Sequence, residues 1–447
     1  MTTSTKAALA VAVAAALSTP AVFATNGYFA HGYGTKNKGL AGGGIALPQD
    51  AMHAATNPAG MVFVGDRMDL GLALFSPRRE YTVTGMPSPP PPPPFFTFPL
   101  EPGSVESDSE YFLIPHFARN WMLTPDSSFG ITVYGNGGMN TDYPAHANPI
   151  RSAGGCGTGT FCAGNTGVDL MQLFVNASYA RKLSPNSSWG VSGILAYQRF
   201  EATGVGSFAP FSSDPANLSN NGYDKSTGFG AKFGWQGEVT PGLTLAASYQ
   251  TEIKMSAFDK YAGLFAEKGD FDIPATATLG LAFKTTPASA VTFDLQKIWY
   301  SKINSVGNPI NNLTTGCMPT FPAGPGVGSG CLGQPGGGGF GWEDMTIAKL
   351  GYQWQTSPDW TWRVGFSKGD QPIPSSEVVF NILAPAVIEQ HYTFGFTTKT
   401  GANSEFNFAA MYAPSNTVKG ANTFDPAQQV ELKMDQFEIE ASWGWKF

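Results

Sequence analysis

The sequence predicts an all-β protein that forms a fourteen-stranded antiparallel transmembrane β-barrel. Three observations lead to this fold class: the composition, segments in which apolar and polar residues alternate, and a regular succession of short and long connections. Charged residues make up only 13% of the chain and aromatic residues another 13%, and there are 54 glycines. This composition suits a β-protein whose apolar face meets lipid.

The N-terminus has the features of an export signal. Lys6 precedes an apolar run at 7–17, and Val22-Phe23-Ala24 offers a cleavage site with small residues. The run is shorter than the roughly 20 residues that span a bilayer, so it is not a membrane helix. A buried helix is the alternative to a signal peptide. We therefore expect a signal peptide at 1–24, a segment outside the barrel wall at 25–65 and the barrel at 66–447.

The alternating segments are the expected membrane strands. In the last one, FEIEASWGWKF at 437–447, every second residue is apolar. Similar alternation occurs at 67–74, 272–283, 291–296, 360–367 and 391–396. Each segment would present one face to an apolar medium and the other to a polar one. A soluble β-sandwich would leave the many outward aromatic rings without apolar surroundings.

The connections between these segments are of two kinds. Short turns rich in Pro, Asn, Asp, Ser and Gly occur at 125–128, 185–188, 240–242, 287–289, 357–359 and 401–403. Longer connections occur at 86–106, 145–165, 210–224, 262–270, 310–340, 375–386 and 415–427. Together they predict an even number of strands, with the short turns in the periplasm and the long loops outside.

The end of the chain carries a candidate assembly signal. Trp443, Trp445 and Phe447 are rings of the kind that prefer the boundary between hydrocarbon and water. Because the chain stops on an aromatic residue of a lipid-facing strand, we expect the outer-membrane barrel assembly machinery to recognise this strand. The predicted location is the outer membrane of a Gram-negative cell.

The four cysteines form two local pairs. Cys156 and Cys162 lie in one Gly-rich segment, and Cys317 and Cys331 lie in another. In an exported chain this spacing indicates two short-range disulfides in external loops. A metal site would need further His or Cys residues near either pair, and neither pair has them, so we expect no metal.

The segment 25–65 does not alternate and is rich in Gly and Ala, which suits chain packed tightly inside a tube. We call this segment the hatch. A fourteen-stranded barrel is too wide for its own side chains to fill, so the lumen is either open or plugged. Several motifs resemble the FadL/TodX family of outer-membrane transporters for hydrophobic compounds. They lie at 26–28, 39–44, 50–51, 57–61, 114–116, 134–138, 271–280 and in the terminal strand.

The resemblance implies a barrel plugged by the hatch and passive uptake of long-chain fatty acids or aromatic hydrocarbons. It also implies that substrate binds in the lumen, beside the hatch, and leaves sideways at a kinked third strand. The residues that it assigns to the hatch are Asn26, Gly27, Tyr28, Phe29, Asn57, Pro58 and Ala59. The lateral opening is expected at Gly135, Asn136, Gly137 and Gly138, because glycine inside a strand often marks a bulge or bend. A strand that runs into its loop early is the alternative for these glycines.

Charged residues on the polar face of the strands are expected in the lumen. By the alternation Lys284, Lys349 and Arg363 project inward. The acidic residues on the same face are Asp294, Glu405, Glu438 and Glu440. These groups would pair with one another, or one basic group would receive the carboxylate of a ligand.

Other function classes fit the sequence less well. A general diffusion porin is the main alternative, and an outer-membrane hydrolase is a weaker one, because no nucleophile-elbow pattern or phosphate loop is present. The net charge of −7 and the lack of a basic stripe argue against a nucleic-acid partner. We expect no enzymatic activity and no cofactor. The expected partners of this monomer are a hydrophobic small molecule, outer-membrane lipid and the assembly machinery.

Overall fold

The computed structural model describes residues 26–88, 98–148, 157–320 and 324–447. Its strands are β1 (Arg67–Thr84), β2 (Gly103–Glu106), β3 (Phe112–Thr124), β4 (Ser127–Tyr143), β5 (Thr166–Ser184), β6 (Ser187–Thr203), β7 (Asp224–Thr240), β8 (Leu243–Gln250), β9 (Lys254–Met255), β10 (Thr276–Thr286), β11 (Ser289–Ile298), β12 (Met345–Ser357), β13 (Trp360–Gly369), β14 (Gln390–Lys399), β15 (Ser404–Asn422) and β16 (Asp425–Lys446). All but the short strands β2 and β9 form one path of antiparallel neighbours. That path closes because β16 pairs with β1 along the whole of β1. The predicted fourteen-stranded barrel is confirmed.

The helical segments are short and lie in the hatch and in the long connections. In the hatch they are Thr35–Lys38, Ala51–Ala55 and Pro58–Phe63. In the connections they are Gly206–Phe211, Pro215–Asn217, Asp259–Tyr261, Ala266–Gly269, Tyr300–Lys302, Asn304–Gly307, Asn311–Gly316, Ser375–Glu377 and Phe380–Ile382. None of the helices in the described part of the chain has the length and apolarity needed to cross a membrane.

The alternation along the strands separates a lipid face from a lumen face. In β16, Trp443 is 46% exposed whereas Glu440 is 2% exposed. The exposed apolar residues on the other strands include Leu72, Leu195, Phe229, Phe233, Leu279, Leu295, Leu350 and Phe394. Apolar side chains on the outside and buried polar ones on the inside are the arrangement of a membrane barrel.

The two ends of the barrel differ. All six predicted short turns join neighbouring strands at one end, and Phe447 is held at the same end by a hydrogen bond from its N–H to the Asp66 carbonyl oxygen (3.0 Å). We assign this end to the periplasm. The prediction of a long loop at 415–427 is wrong. β15 and β16 instead continue as a paired hairpin, and only residues 423–424 connect them.

The other long connections fold over the outer end of the barrel and share an apolar core, which we call the cap. Its buried rings include Phe98, Phe161, Phe208, Phe211, Phe258, Phe265, Phe340, Phe380 and Phe424. Cys317 and Cys331 form a disulfide inside the cap, with 4.7 Å between their Cα atoms. Cys156 lies outside the described residues, so its pairing with Cys162 stays a prediction, as does the signal peptide at 1–24.

The described part of the hatch, residues 26–65, is almost completely buried in the lumen. Glycines of the wall allow its close approach. A Cβ atom at Gly234 would lie 2.0 Å from Oδ1 of Asn57, and one at Gly190 would lie 2.5 Å from the carbonyl carbon of Pro58. Only glycine leaves room for the hatch at these wall positions.

Candidate lateral opening and ligand path

β4, the third strand of the barrel wall, is interrupted at the predicted glycines. Its pairing with β3 extends only from the turn to the pair Phe117 and Val133. Its pairing with β5 continues, but the register shifts between Gly135 and Gly137, which leaves Asn136 as an extra residue. This is a β-bulge, and it bends the strand away from β3.

The hatch takes the place of β3 beside the bulge. The amide of Ala30 donates to the Asn136 carbonyl oxygen (3.0 Å), and the amide of Gly138 donates to the Tyr28 carbonyl oxygen (2.9 Å). Backbone groups at membrane depth must be satisfied, at a cost of several kcal/mol each if they are not. The hatch therefore supplies the hydrogen bonds that the interrupted ladder lacks.

The gap between β3 and β4 lies in the outer half of the membrane band. Along β3, residues 112–116 face the gap, and they pair on their other side with residues 71–75 of β1. The lipid-facing residues of β1 extend from Met68 to Leu74, so the gap begins near the middle of this band. Its outer limit is a hydrogen bond from the Asp108 amide to the Asp142 carbonyl oxygen (2.8 Å).

Tyr28 of the hatch lies at the centre of an aromatic cluster beside the gap. Its ring centroid is 5.0 Å from that of Tyr300, 5.8 Å from that of Trp342 and 6.0 Å from that of Phe271. All of these rings are buried, and Phe29 packs against both tyrosines. Tyr300 and Trp342 could not be predicted from the sequence, because they come from a long connection without periodicity.

Two cavities of opposite character flank this cluster. The outer one lies in the cap and is almost entirely apolar. It is lined by Val168, Phe200, Val205, Phe208, Leu264, Phe265, Ser305, Leu332, Gly338, Gly339, Phe340, Phe380 and Leu383. The inner one lies between the hatch and the wall, and its lining includes the charged residues Lys232, Asp294 and Lys349. An apolar molecule gains free energy in the first cavity and would have to desolvate charged groups in the second.

The predicted lumenal cations have different surroundings. Lys349 is buried and donates to the His31 carbonyl oxygen (3.0 Å), so it holds the hatch. Arg363 is also buried, and its Nη2 donates to Oε1 of Gln49 in the hatch (2.7 Å). Lys284 lies on the same face of β10 as the buried Ala282, but it is exposed because it is near the periplasmic end of the strand.

Ion pairs join the hatch to the periplasmic half of the wall. Nζ of Lys38 lies 2.6 Å from a carboxylate oxygen of Glu438 and 2.6 Å from one of Glu440. Lys36 pairs with Glu405 (2.5 Å), which also pairs with Arg67 (2.7 Å). The sequence placed the three glutamates in the lumen, but it gave no indication that hatch lysines pair with them.

The tripeptide at 57–59 anchors the end of the hatch. Oδ1 of Asn57 accepts from the Ala59 amide (3.0 Å), which caps the helical turn that begins at Pro58. Nδ2 of Asn57 donates to the Trp235 carbonyl oxygen (3.3 Å). Ser188 donates its hydroxyl to the Ala59 carbonyl oxygen (2.6 Å). These contacts give the tripeptide a structural role.

A family of outer-membrane proteins matches nearly the whole chain. Its description is "Outer membrane protein transport protein (OMPP1/FadL/TodX)", and it matches residues 11–441. The chain belongs to this family. It is therefore an outer-membrane transport protein of the FadL/TodX type, in a family whose members are transporters and channels. No curated protein matched the chain.

Solved structures of the same fold are distant in sequence. The toluene transporter TodX of P. putida is 17% identical, with 93% of this chain and 99% of that chain covered and a TM-score of 0.62. The toluene transporter TbuX of Ralstonia pickettii is 16% identical, with the same coverage and TM-score. A FadL homologue of Pseudomonas aeruginosa is 13% identical, with 94% and 100% covered and a TM-score of 0.63. These likenesses support the fold.

Proposed function

We propose that this transporter takes up hydrophobic molecules passively and releases them sideways through the gap between β3 and β4. The observation that carries the proposal is the interruption of the wall at Asn136, with hatch backbone instead of β3 beside it. The substrate class includes long-chain fatty acids and aromatic hydrocarbons. The toluene transporters among the solved structures have the same fold.

The distribution of polarity supports this route. A ligand would enter the apolar cavity of the cap, pass the aromatic cluster around Tyr28 and reach the gap. The alternative path to the periplasm leads past the charged cavity and the ion pairs of Lys36 and Lys38. Each Å² of apolar surface kept out of water is worth about 25 cal/mol, so the sideways path is favoured for an apolar molecule.

The same architecture defines the proposed partners. The barrel contacts outer-membrane lipid, and Trp443, Trp445 and Phe447 are proposed as the signal for the assembly machinery. The protein works as a monomer, without catalysis and without a nucleic-acid partner. A general diffusion porin is disfavoured because the hatch and the cap both fill the lumen along the described residues.

Removing the bulge tests the route. Deletion of Asn136 takes the extra residue out of β4 and should let the strand pair continuously with β3 and close the gap. Deletion of Ser415 is the matched control, because it removes an extra residue from β15 where its register with β16 shifts. Uptake of a radiolabelled hydrophobic compound by cells is compared with binding to the purified protein.

The expected result for the Asn136 deletion is a large loss of uptake with binding retained. The Ser415 deletion should leave both unchanged. Both variants must first give the wild-type amount of heat-modifiable barrel. Wild-type uptake by the Asn136 deletion, with continuous β3–β4 pairing shown by its structure, would place the exit elsewhere.

A further inference from the structure

Arg79 of β1 is a buried cation at the outer end of the gap. It faces the lumen and is 3% exposed. Its Nη1 donates to the Ser109 carbonyl oxygen (3.1 Å), and its guanidinium carbon lies 6.0 Å from the centroid of the Phe112 ring. Ser109 lies three residues before Phe112, the first residue of β3, so the guanidinium is beside the edge of the wall that borders the gap.

The guanidinium lacks the partners that the other buried arginines of the lumen have. Arg67 pairs with Asp69, and Arg363 donates to the side chains of Gln49 and Thr397. Among the described residues, Arg79 has no carboxylate within ion-pair distance, and its Nη2 has no hydrogen-bond acceptor. A buried charge without a partner is costly, so an unpaired donor of this kind calls for an explanation.

A small cavity lies against Arg79. Its other lining residues are Gly27, Met139, Asn140, Trp342, Ala384, Pro385, Ala386 and Met434. Most of them are apolar, and Oδ1 of Asn140 is also without a partner. The cavity connects three parts of the proposed path: the start of the hatch, β4 beyond its bulge, and Trp342 of the aromatic cluster.

The depth of Arg79 in the membrane follows from its neighbours on the outer surface. The lipid face of β1 is apolar up to Leu74, and Arg78 is exposed on the same face. Arg78 pairs across the sheet with Asp435 of β16. A charged pair on the outward surface marks the end of the hydrocarbon band, so Arg79 lies at the depth of the lipid headgroups of the outer leaflet.

We propose that Arg79 is the anion-binding group of the exit site, and that the preferred cargo is an apolar molecule with a single carboxylate. The guanidinium receives the carboxylate, while the apolar part of the molecule lies in the gap below. Such a cargo enters the membrane tail first, and its head is already at headgroup depth when it leaves. This inference rests on the proposed sideways release and adds to it a specificity-determining residue.

The charge makes the site selective. A neutral hydrocarbon would leave the guanidinium desolvated and unpaired, whereas a carboxylate supplies two acceptor oxygens for its parallel N–H groups. Sites with a buried polar group discriminate strongly against analogues that lack its partner. The exit site should therefore prefer a fatty acid to the alcohol of the same chain.

The test compares oleate with oleyl alcohol, which differ only in the head. Binding of each probe to the full-length protein in nanodiscs is measured by calorimetry for the wild type and for Arg79→Gln. The wild type should prefer oleate. Arg79→Gln should weaken oleate binding roughly 10- to 100-fold, the range expected for a charge-assisted hydrogen bond, and change alcohol binding little. Arg79→Lys should recover part of the loss.

Arg78→Gln is the matched control, because it removes the same charge one residue away on the opposite face. It should change neither affinity, and all variants are checked for the heat-modifiable barrel. Equal oleate affinity of Arg79→Gln and wild type would overturn the inference, as would equal losses for both probes, which indicate a structural role. A wild type that binds neither probe nor toluene would overturn the proposed function itself.

Discussion

At the scale of single residues, Gly137 shows how closely the hatch and the wall fit. A Cβ atom at this position would lie 1.9 Å from the carbonyl oxygen of Tyr28. A backbone carbonyl cannot move far enough to make room at low energetic cost. Gly137→Ala should therefore displace residues 28–30 and break their hydrogen bonds to β4. We expect faster hydrogen exchange at the amide of Ala30, measured by mass spectrometry, and altered uptake.

Gly193→Ala is the control for this substitution. Gly193 also lies in a barrel strand, and the nearest atom to its added Cβ is in the side chain of Phe229, at 3.2 Å. Exchange in the hatch should be unchanged in this variant. Wild-type exchange at Ala30 in Gly137→Ala would show that the hatch tolerates a side chain at the bulge.

Lys38 is the residue whose loss should most weaken the hatch. Its ammonium lies between Glu438 and Glu440, and all three side chains are buried. Lys38→Met leaves two buried carboxylates without their cation, which should lower the free energy of unfolding by about 3–5 kcal/mol. Urea unfolding in lipid vesicles measures this loss.

Two further variants serve as controls for Lys38→Met. Lys284→Met removes an exposed lysine of the wall and should change stability by no more than about 0.5 kcal/mol. Adding Glu438→Gln and Glu440→Gln to Lys38→Met should restore most of the loss, because the buried charges are then gone. If Lys38→Met alone were as stable as the wild type, these ion pairs would not hold the hatch.

The lumenal charges also show what periodicity can and cannot predict. Alternation placed Glu438, Glu440 and Lys349 on the inner face, because successive residues of a strand point to opposite faces. It placed Lys284 there too, although depth along the strand exposes it near the periplasmic end. Arg79 has inward parity as well, but its lack of a partner is a three-dimensional property that no local pattern records.

At the scale of elements, the disulfide of the cap fixes a long connection between β11 and β12. Cys317 and Cys331 are 14 residues apart, and both are buried in the apolar core of the cap. Replacing both with Ala should cost about 3 kcal/mol in the stability of this connection. The barrel strands do not depend on it, so heat modifiability should be unchanged.

Limited proteolysis of whole cells checks the disulfide prediction. Cleavage within 299–344 should be faster in the double variant and also in wild-type cells treated with a reductant. The connection at 204–223 is the internal reference, although it packs in the same cap. Identical cleavage with and without the disulfide would show that packing alone holds this connection.

The last strand ends on the proposed assembly signal. The ring of Phe447 is 71% exposed, and the guanidinium carbon of Arg119 lies 4.5 Å from its centroid. Removing Phe447 should lower the amount of heat-modifiable barrel in the outer membrane several-fold, whereas Phe447→Tyr keeps the ring and should assemble normally. Equal amounts after removal would contradict a role in assembly.

The hairpin of β15 and β16 shows why one connection could not be predicted. Pro414, Asn416, Gly420 and Asn422 are typical turn residues, which suggested a loop. In the structure Asn416, Gly420 and Asn422 stay paired with β16, and the register shifts after Ala413 and again after Ala421. Pairing with a neighbouring strand outweighs local turn preference, and a single sequence does not reveal it.

At the scale of the whole molecule, the lumen is closed twice, by the hatch and by the cap. The wild type should therefore show almost no steady current in single-channel recordings. A variant without residues 26–63 loses Tyr28 and with it the contact between the hatch and the aromatic rings of the cap. It should conduct more than the wild type once its barrel is shown to be heat-modifiable. A large steady wild-type current would favour the general porin.

The lower limit of the gap, at Phe117 and Val133, has a consequence for the cell. Below that pair the wall is continuous and the hatch is tied down, so the proposed route delivers cargo only to the outer leaflet. The cargo then accumulates in one lipid leaflet rather than in the aqueous volume of the periplasm. Its net flux would stop when that leaflet can dissolve no more cargo, whatever the periplasm contains. The rate of uptake would then depend on how fast cargo leaves this leaflet for the inner leaflet and is consumed by the cell.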